Sequence, residues 1–174
     1  MRRGMAVLDG SNIRAHQKAA GAPKKGGSRA SRDMREALGR SRGGYGTKAC
    51  GIADGGGRAV AFHLAPGPAH ELPTARTLLS RWPEVPTWGV ADRGSTSHAW
   101  REHIWNLGAR PAIPPQRQEA PVACPAWISN NRNRVERLWT RLKHWRAIAA
   151  RHEKTACSFL GVLCLAAALD WLKS

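Results

Sequence analysis

Acidic residues are scarce in this sequence. Its 174 residues include 12 Asp and Glu against 28 Lys and Arg, which gives a formal charge of +16. Such a charge excludes no fold, but it indicates a polyanionic partner, and nucleic acid is the commonest one. An anionic membrane surface is the alternative, and it is disfavoured because no basic stretch is paired with a free amphipathic apolar face. We therefore expect a nucleic-acid partner and no membrane.

Paired cysteine motifs and long apolar runs are also missing. No two of the four cysteines have CxxC spacing, which argues against a zinc ribbon or a thioredoxin-type site. These cysteines are Cys50, Cys124, Cys157 and Cys164. The apolar run Phe159–Leu169 is too short to span a bilayer and predicts a buried helix. Nothing resembles a signal peptide, so the default expectation is a cytoplasmic protein with reduced thiols.

The basic residues lie in two separate blocks. Residues 1–50 hold 12 basic and 3 acidic residues, and residues 126–154 hold 8 and 2. The stretch between the blocks and the stretch after them are close to neutral. Two solvated faces would produce this pattern, and so would two surfaces that contact one polyanion. Composition leaves both interpretations open.

Apolar periodicity predicts short strands and helices in mixed order. Strands are predicted at 5–9, 45–53, 58–64, 85–91 and 109–113, with a glycine-rich hairpin turn at 54–57. Helices are predicted at 71–81, 97–107, 132–150 and 154–172. Residues 10–44 lack periodicity and predict a long basic loop, with a short helix at 29–38 as an option.

This order predicts an α/β fold, a mixed sheet that helices flank. It is the order of the ribonuclease H-like fold, here with the long basic loop over 10–44 after the first strand. The length suits a single domain over 1–174, closed by a C-terminal packing helix over 154–172.

Three of the acids stand where a metal site would need them. Asp9 ends the first predicted strand, Asp92 follows a later strand, and Glu136 lies in the first turns of a late helix. In a ribonuclease H-like sheet the two strand ends lie side by side. Cleavage of a phosphodiester needs charge neutralised on the phosphate and an activated oxygen nucleophile, which two Mg²⁺ ions between converging carboxylates supply.

Each of these acids also has an ordinary structural interpretation. An Asp at a strand end often forms a turn. Glu136 shares one helix face with Arg132 and Lys143, opposite the apolar stripe, as residues on a solvated face do. The occurrence of all three acids on the three required elements favours the metal site.

Five blocks of sequence, in order, resemble one known family, the insertion-sequence DDE transposases of the "insertion sequence five" type. The matching blocks are Leu8–His16 for the first catalytic Asp, Gly39–Lys48 for the next block, Val90–Gly94 for the second Asp, Arg132–Lys143 for the signature (Arg, three residues, Glu, six residues, Lys), and Glu153–Leu160 for the tail.

The resemblance implies a transposase that cleaves DNA strands and transfers them during movement of an insertion sequence. It implies that Asp9, Asp92 and Glu136 are the catalytic, metal-binding triad for two Mg²⁺ ions, with Mn²⁺ as an alternative. The implied partners are transposon ends and target DNA. The expected DNA-binding residues are Arg14, Lys24, Lys25, Arg40, Arg42, Lys48, Arg132 and Lys143.

The sequence departs from the family pattern at three places. Ser129 stands where the signature usually has Tyr, and Ser95 stands where an aromatic residue usually follows the second Asp block. The first catalytic strand begins almost at Met1, where the family has a helical N-terminal region. We therefore expect either one reading frame of a split element, with that region supplied by an upstream frame, or a decayed remnant. A homodimer is left open as a further partner.

Two other functions remain as alternatives. A catalytically silent DNA-binding remnant of a transposase would keep the basic surface and lack turnover. A basic RNA-binding or ribosome-associated protein would share the charge, but the ordered triad argues against it. Metal-dependent nicking of DNA separates the first interpretation from both alternatives.

Overall fold

Short strands and helices alternate along the chain. The computed structural model describes residues 4–20, 28–41, 43–92 and 97–173. The strands are β1 (Met5–Ala15), β2 (Gly39–Ser41), β3 (Gly44–Ala53), β4 (Ala59–Pro66), β5 (Trp88–Val90), β6 (Arg110–Ala112) and β7 (Ala150–Arg151). The helices are α1 (Gln17–Ala20), α2 (Arg29–Arg35), α3 (Glu71–Leu79), α4 (His98–Asn106), α5 (Ala126–Ser129), α6 (Asn133–Lys143), α7 (Arg146–Ala149) and α8 (Ala156–Lys173). A 3₁₀ turn, Asn130–Arg132, joins α5 to α6.

The sheet mixes parallel and antiparallel pairs. Its strand order is β2-β3-β1-β5-β6, with β4 also paired to β3 and β7 also paired to β1. β1, β5 and β6 run parallel, whereas β2 and β3 are antiparallel. The predicted fold class, a mixed α/β sheet flanked by helices, is confirmed.

The chain divides into two compact units, and the boundaries between them fall within several strands and one helix. The first unit comprises Met1–Asp9, Gly51–Ala61 and Glu71–Leu138. The second unit comprises the remaining segments, Gly10–Cys50, Phe62–His70 and Trp139–Ser174. The single domain predicted over 1–174 stays a prediction.

In the first unit, parallel strands pack against α4. Trp100 and Ile104 on this helix are buried, and a Cβ atom added to Gly89 of β5 would lie 3.0 Å from Ile104 Cγ2. The hairpin between β3 and β4 is the predicted glycine-rich turn. The Asp54 carboxylate accepts hydrogen bonds from the Gly56 and Arg58 amides, at 2.9 and 3.0 Å.

In the second unit, the buried Arg151 joins three segments of the chain. Its guanidinium donates hydrogen bonds to the Glu36 carbonyl at 2.8 Å and to the Thr47 hydroxyl, and it lies 5.3 Å from the ring centre of Phe159. Thr47 in turn donates to the Ala37 carbonyl at 2.7 Å. Burial lowers the pKa of Arg151, partly offset by the charges of Glu36 and Glu153.

The predicted basic loop over 10–44 is wrong in the described part of that range. β1 continues to Ala15, and α1 and β2 are further elements in this range. The short helix predicted as an option at 29–38 is confirmed by α2. Apolar periodicity misses the extension of β1 because Ile13 is its one fully buried side chain. Pairing of Arg14 and Ala15 with β7 keeps it extended, and that pairing is a long-range contact that local pattern does not record.

The two C-terminal helices also depart from prediction. The helix predicted at 132–150 is two helices, because α6 ends at Lys143 and α7 begins at Arg146. Trp145, between them, is 43% exposed, although the apolar spacing of the predicted helix had placed it on the buried side. α8 is observed close to its predicted bounds, but it is not the buried helix expected. Phe159 and Leu163 face the core, whereas Leu165 and Leu172 are 63% and 82% exposed.

By length and composition alone, α8 is long and apolar enough to cross a membrane. Of its residues, 22% are buried. Length and composition alone are weak evidence, since core helices of soluble proteins share both properties.

We predict that Arg151→Met destabilises the protein. The change keeps much of the side-chain volume but leaves buried acceptors without their donor, at about 1–3 kcal/mol for each orphaned group. The midpoint of urea unfolding measures the loss. The urea midpoint of Arg151→Lys should lie between those of Arg151→Met and the wild type, because an ammonium supplies fewer directed donors than a guanidinium.

Arg146→Met is the matched control, since Arg146 is an exposed arginine on the preceding short helix. Equal midpoints for Arg146→Met and Arg151→Met would show that the buried guanidinium contributes no stability.

We predict that Glu36→Gln weakens the dependence of stability on acid pH. Burial alone would raise the pKa of Glu36, but the Ala156 amide and the Arg35 guanidinium outweigh it, and the pKa lies below its ordinary value. A lowered pKa contributes stability above the unfolded-state value, and this stability is lost as pH falls through the folded-state value. The free energy of unfolding, measured in urea at a series of acid pH values, should therefore be similar for the variant and the wild type at low pH. Near neutrality the wild type should be the more stable of the two.

Candidate functional site

Asp9 and Asp92 each follow a buried run of strand residues. Asp9 does not end its strand as predicted, because β1 continues to Ala15. Val7 and Leu8 are buried in β1, and Asp9 is the next residue and half-buried. Val90 ends β5 and Ala91 is buried, and Asp92 follows half-buried. Each carboxylate therefore sits just beyond the apolar part of its strand, where a charged group keeps partial hydration.

Strand register relates these two acids. In the parallel pair of β1 and β5, Met5 lies opposite Trp88 and Val7 opposite Val90. Continuing the same offset by two residues aligns Asp9 with Asp92. Neighbouring strands lie about 4.8 Å apart, so parallel register favours two carboxylates at one edge of the sheet.

Glu136 lies in the first turn of α6, as predicted. Val135 and Leu138 are fully buried and fix the inner face of the helix, which turns Glu136 outward. Arg132 Nη2 lies 2.9 Å from Glu136 Oε1, and the two side chains are 40% and 50% exposed. This ion pair is solvent-exposed, so exchanging its partners costs little free energy.

An open cavity of about 450 Å³ adjoins Glu136 within the first unit. Its lining is polar, except for one alanine and one proline: Ala91, Pro114, Ser129, Asn130, Arg132, Asn133 and Glu136. Ala91 immediately precedes Asp92, so the cavity extends from the start of α6 to the end of β5. Hydroxyl, amide and guanidinium donors of this kind suit phosphate and sugar oxygens.

The glycine-rich hairpin supports the start of α6. A Cβ atom added to Gly57, which has φ of +80°, would lie 3.2 Å from the Arg134 Cβ. Arg134 also donates a hydrogen bond of 2.6 Å to the Asn131 side chain, and Asn131 donates to the Trp127 carbonyl at 2.7 Å. The segment before Glu136 is therefore held on both sides.

The three acids provide oxygen ligands, which Mg²⁺ prefers. All three are at least partly accessible to solvent. Among the described residues, no group of three or more His, Cys, Asp and Glu is arranged to hold a metal ion. The donor chemistry fits Mg²⁺, and Glu136 has Arg132 as a partner in this arrangement.

The predicted DNA-binding residues are spread over both units. Arg14 and Arg40 are exposed on β1 and β2, Lys48 is half-buried in β3, and Lys143 ends α6 in the second unit. Arg132 lines the cavity beside Glu136 in the first unit. Lys24, Lys25 and Arg42, like Ser95, lie outside the described residues.

Arg14 also lines a smaller cavity, of about 290 Å³, in the second unit. Its guanidinium donates to the Gly43 carbonyl at 3.2 Å. Glycines permit the close approach of strands below this cavity, since a Cβ atom added to Gly46 would lie 2.7 Å from the Ile13 carbonyl oxygen. Ser41, Asn12 and the strand backbone supply further polar groups.

Several residues around the first cavity were missed by sequence reasoning. Ser129, Asn130 and Asn133 line it, yet the sequence marked Ser129 only as a departure from the family signature and gave Asn130 and Asn133 no role in the site. A short apolar signal was present, because Ile128 is fully buried and anchors α5. One buried residue in four is too little to predict a helix from periodicity.

Comparison with known proteins agrees with this geometry. The family described as "Transposase DDE domain" matches residues 90–173. A curated protein from Brucella ovis, assigned as a transposase for insertion sequence element IS6501, is 31% identical over 129 residues, which cover 73% of this chain and 98% of that protein. The subtype "insertion sequence five" stays a prediction. With the mixed sheet, the two aspartates that follow buried strand residues and the late helix that carries Glu136, these matches show that the chain belongs to the insertion-sequence transposases with a DDE domain.

Proposed function

We propose that this chain cleaves a DNA strand at the end of an insertion sequence and joins the freed 3′-hydroxyl to target DNA, using Asp9, Asp92 and Glu136. The observation that carries the proposal is the parallel register of β1 and β5, whose continuation aligns Asp9 with Asp92. Glu136 supports it because it shares a cavity with Ala91, the residue before Asp92. A DNA phosphate in this cavity would lie beside Glu136 and beside Ala91, the residue that precedes Asp92.

The proposed cofactor is Mg²⁺, as two ions that Mn²⁺ can replace. Bound there, the ions would neutralise charge on the attacked phosphate and supply an activated oxygen nucleophile. Asp9, Asp92 and Glu136 are the residues that would hold them. The exposed pair of Glu136 with Arg132 would reorganise, and breaking an exposed ion pair costs little enough free energy to permit that step.

The remaining cavity residues have roles that follow from their chemistry. Arg132, once separated from Glu136, would pair with a phosphate oxygen, to which guanidinium binds strongly and with defined geometry. Asn130, Asn133 and Ser129 would donate hydrogen bonds to phosphate or sugar oxygens. Such contacts position a strand without selecting its sequence.

DNA binding is proposed to extend to the basic residues of the second unit. Arg14 and Arg40 are exposed near the β2–β3 turn, and Lys48 follows on β3. Lys24, Lys25, Arg42 and Lys143 are included on charge and sequence position. The four cysteines, which form no disulfide, agree with the cytoplasmic location expected of such a protein.

We predict that Asp92→Asn and Glu136→Gln each abolish metal-dependent nicking of supercoiled DNA. Removing a direct ligand should lower the rate by at least about a hundredfold, more than changes in an outer shell usually cost. The wild type should lose its activity with EDTA and recover it with Mg²⁺ or Mn²⁺. Calorimetric titration with Mn²⁺ should show weaker binding by both variants.

Glu102→Gln is the control for both variants, because Glu102 is a 60% exposed acid on a helix of the same unit. Nicking by Glu136→Gln at the rate of this control would remove Glu136 from the triad. A wild-type protein that binds DNA and never nicks it, with either metal, would be the silent DNA-binding alternative.

We also predict that the double variant Arg14→Ala, Arg40→Ala weakens the salt dependence of duplex binding. Each lost phosphate contact should make the slope of log affinity against log salt shallower by about 0.9. Fluorescence anisotropy with a labelled duplex measures the slope. Arg76→Ala, at an exposed arginine on α3, should leave it unchanged. If the double variant keeps the wild-type slope, these two arginines face solvent and not DNA.

A further inference from the structure

Trp127 carries an exposed indole on α5, the helix whose last residue, Ser129, lines the first cavity. Its side chain is 65% exposed, although the next residue, Ile128, is fully buried. Ser129, two residues after Trp127, lines the first cavity, and so do Asn130 and Arg132. A large aromatic surface is therefore exposed to solvent on a helix that leads directly into donors of the kind that suit phosphate oxygens.

Contacts hold this indole in place. Trp88, half-buried on β5, meets Trp127 edge to face, with ring centres 6.1 Å apart and planes inclined by 76°. Arg110 covers Trp88 at 5.6 Å from its ring centre. The Asn131 side chain donates to the Trp127 carbonyl at 2.7 Å. An indole fixed before a ligand arrives loses little conformational entropy when the ligand binds.

Single exposed apolar residues are normal on protein surfaces, so exposure alone indicates nothing. Trp105 illustrates this, because it is also 65% exposed and has no aromatic or cationic partner among the described residues. Trp127 differs because its ring meets Trp88, which Arg110 covers. The chain just after Trp127, including Arg132, also lines a polar cavity. Cationic, polar and aromatic groups together match the parts of a nucleic-acid strand, which are phosphate, sugar and base.

We propose that Trp127 stacks on an unpaired base of the DNA strand whose backbone enters the first cavity. This inference rests on the proposed function, because the strand is the substrate of the proposed cleavage. Every base has a π face, so the contact would contribute affinity and strand position without strong sequence preference. A base stacked on Trp127 would fix how far the strand slides along the cavity, and hence which phosphate is presented.

The test is binding of a labelled single-stranded oligothymidylate over a series of salt concentrations, without divalent metal so that no strand is cut. Trp127→Ala should weaken binding about five- to 150-fold, the loss expected for one stacked base. The slope against salt should stay at its wild-type value, because no charge is removed. Trp105→Ala is the matched control and should bind like the wild type.

Two further variants separate stacking from apolar contact and from folding. Trp127→Phe keeps an aromatic face and should retain most of the affinity, whereas Trp127→Leu keeps apolar volume and should lose affinity as Trp127→Ala does. Circular dichroism and thermal unfolding establish that each variant is folded. If Trp127→Ala fails to fold, the difference between Phe and Leu variants decides the question.

A second ligand gives an independent readout. With a phosphodiester chain of the same length that carries abasic sites in place of bases, Trp127→Ala and the wild type should bind equally. Equal affinities of Trp127→Ala and Trp105→Ala for oligothymidylate, or wild-type affinity of Trp127→Leu, would overturn the stacking inference and leave the proposed function standing. Failure of the wild type to bind any DNA would instead overturn the proposed function.

Discussion

Parallel hydrogen bonding between β1 and β5 is the constraint on which the candidate site depends. Side chains in a strand alternate between faces, so a shift of one residue would send Asp9 and Asp92 to opposite faces of the sheet. Val7 and Val90 are opposite each other and fully buried, so their packing holds the two strands in this register. The apolar core thus fixes the relative position of two charged groups that contribute nothing to it.

The helix that carries Glu136 shows the same division of tasks. Its inner face, with Val135, Leu138 and Leu142, is fully buried, and its outer face carries the charges. Nothing in the packing of that inner face requires a carboxylate at position 136. The ion pair with Arg132 shows that the outer face is already organised, while its exposure leaves both groups available to other partners.

Local pattern predicted the elements that bury alternate or periodic side chains and missed those that exist through distant pairing. β3, β4 and the turn at Asp54 were found because apolar alternation and a glycine run are local signals. β7 has two residues and is a strand only through its pairing with Arg14 and Ala15 of β1. Arg151 could not be distinguished by sequence from other arginines of a basic block, because its burial follows from carbonyls of a distant turn.

For the site, strand ends and the start of a helix were enough to nominate the three acids, since each follows or begins an apolar segment. The polar lining of the cavity was not predictable, because Ser129 and Asn130 lie in a short turn of helix held by one buried isoleucine. The exposure of Trp127 was equally hidden, as most tryptophans serve in cores and periodicity does not reveal which one is left outside.

The pairing of β1 has a consequence for the time at which the protein can fold during synthesis. Met5 pairs with Trp88 and Arg14 with Ala150, so β1 leaves the ribosome well before either of its parallel partners has been made. Long-range parallel pairing is slow, because the entropy of closing a long loop is lost before the contacts form. Until then Ala6, Val7 and Leu8 form an apolar strand whose edge toward β5 has unpaired backbone groups, and such an edge can associate with other chains. The charges at both ends of this segment, Arg2 and Arg3 before it and Asp9 after it, discourage such association while the nascent chain waits for β5.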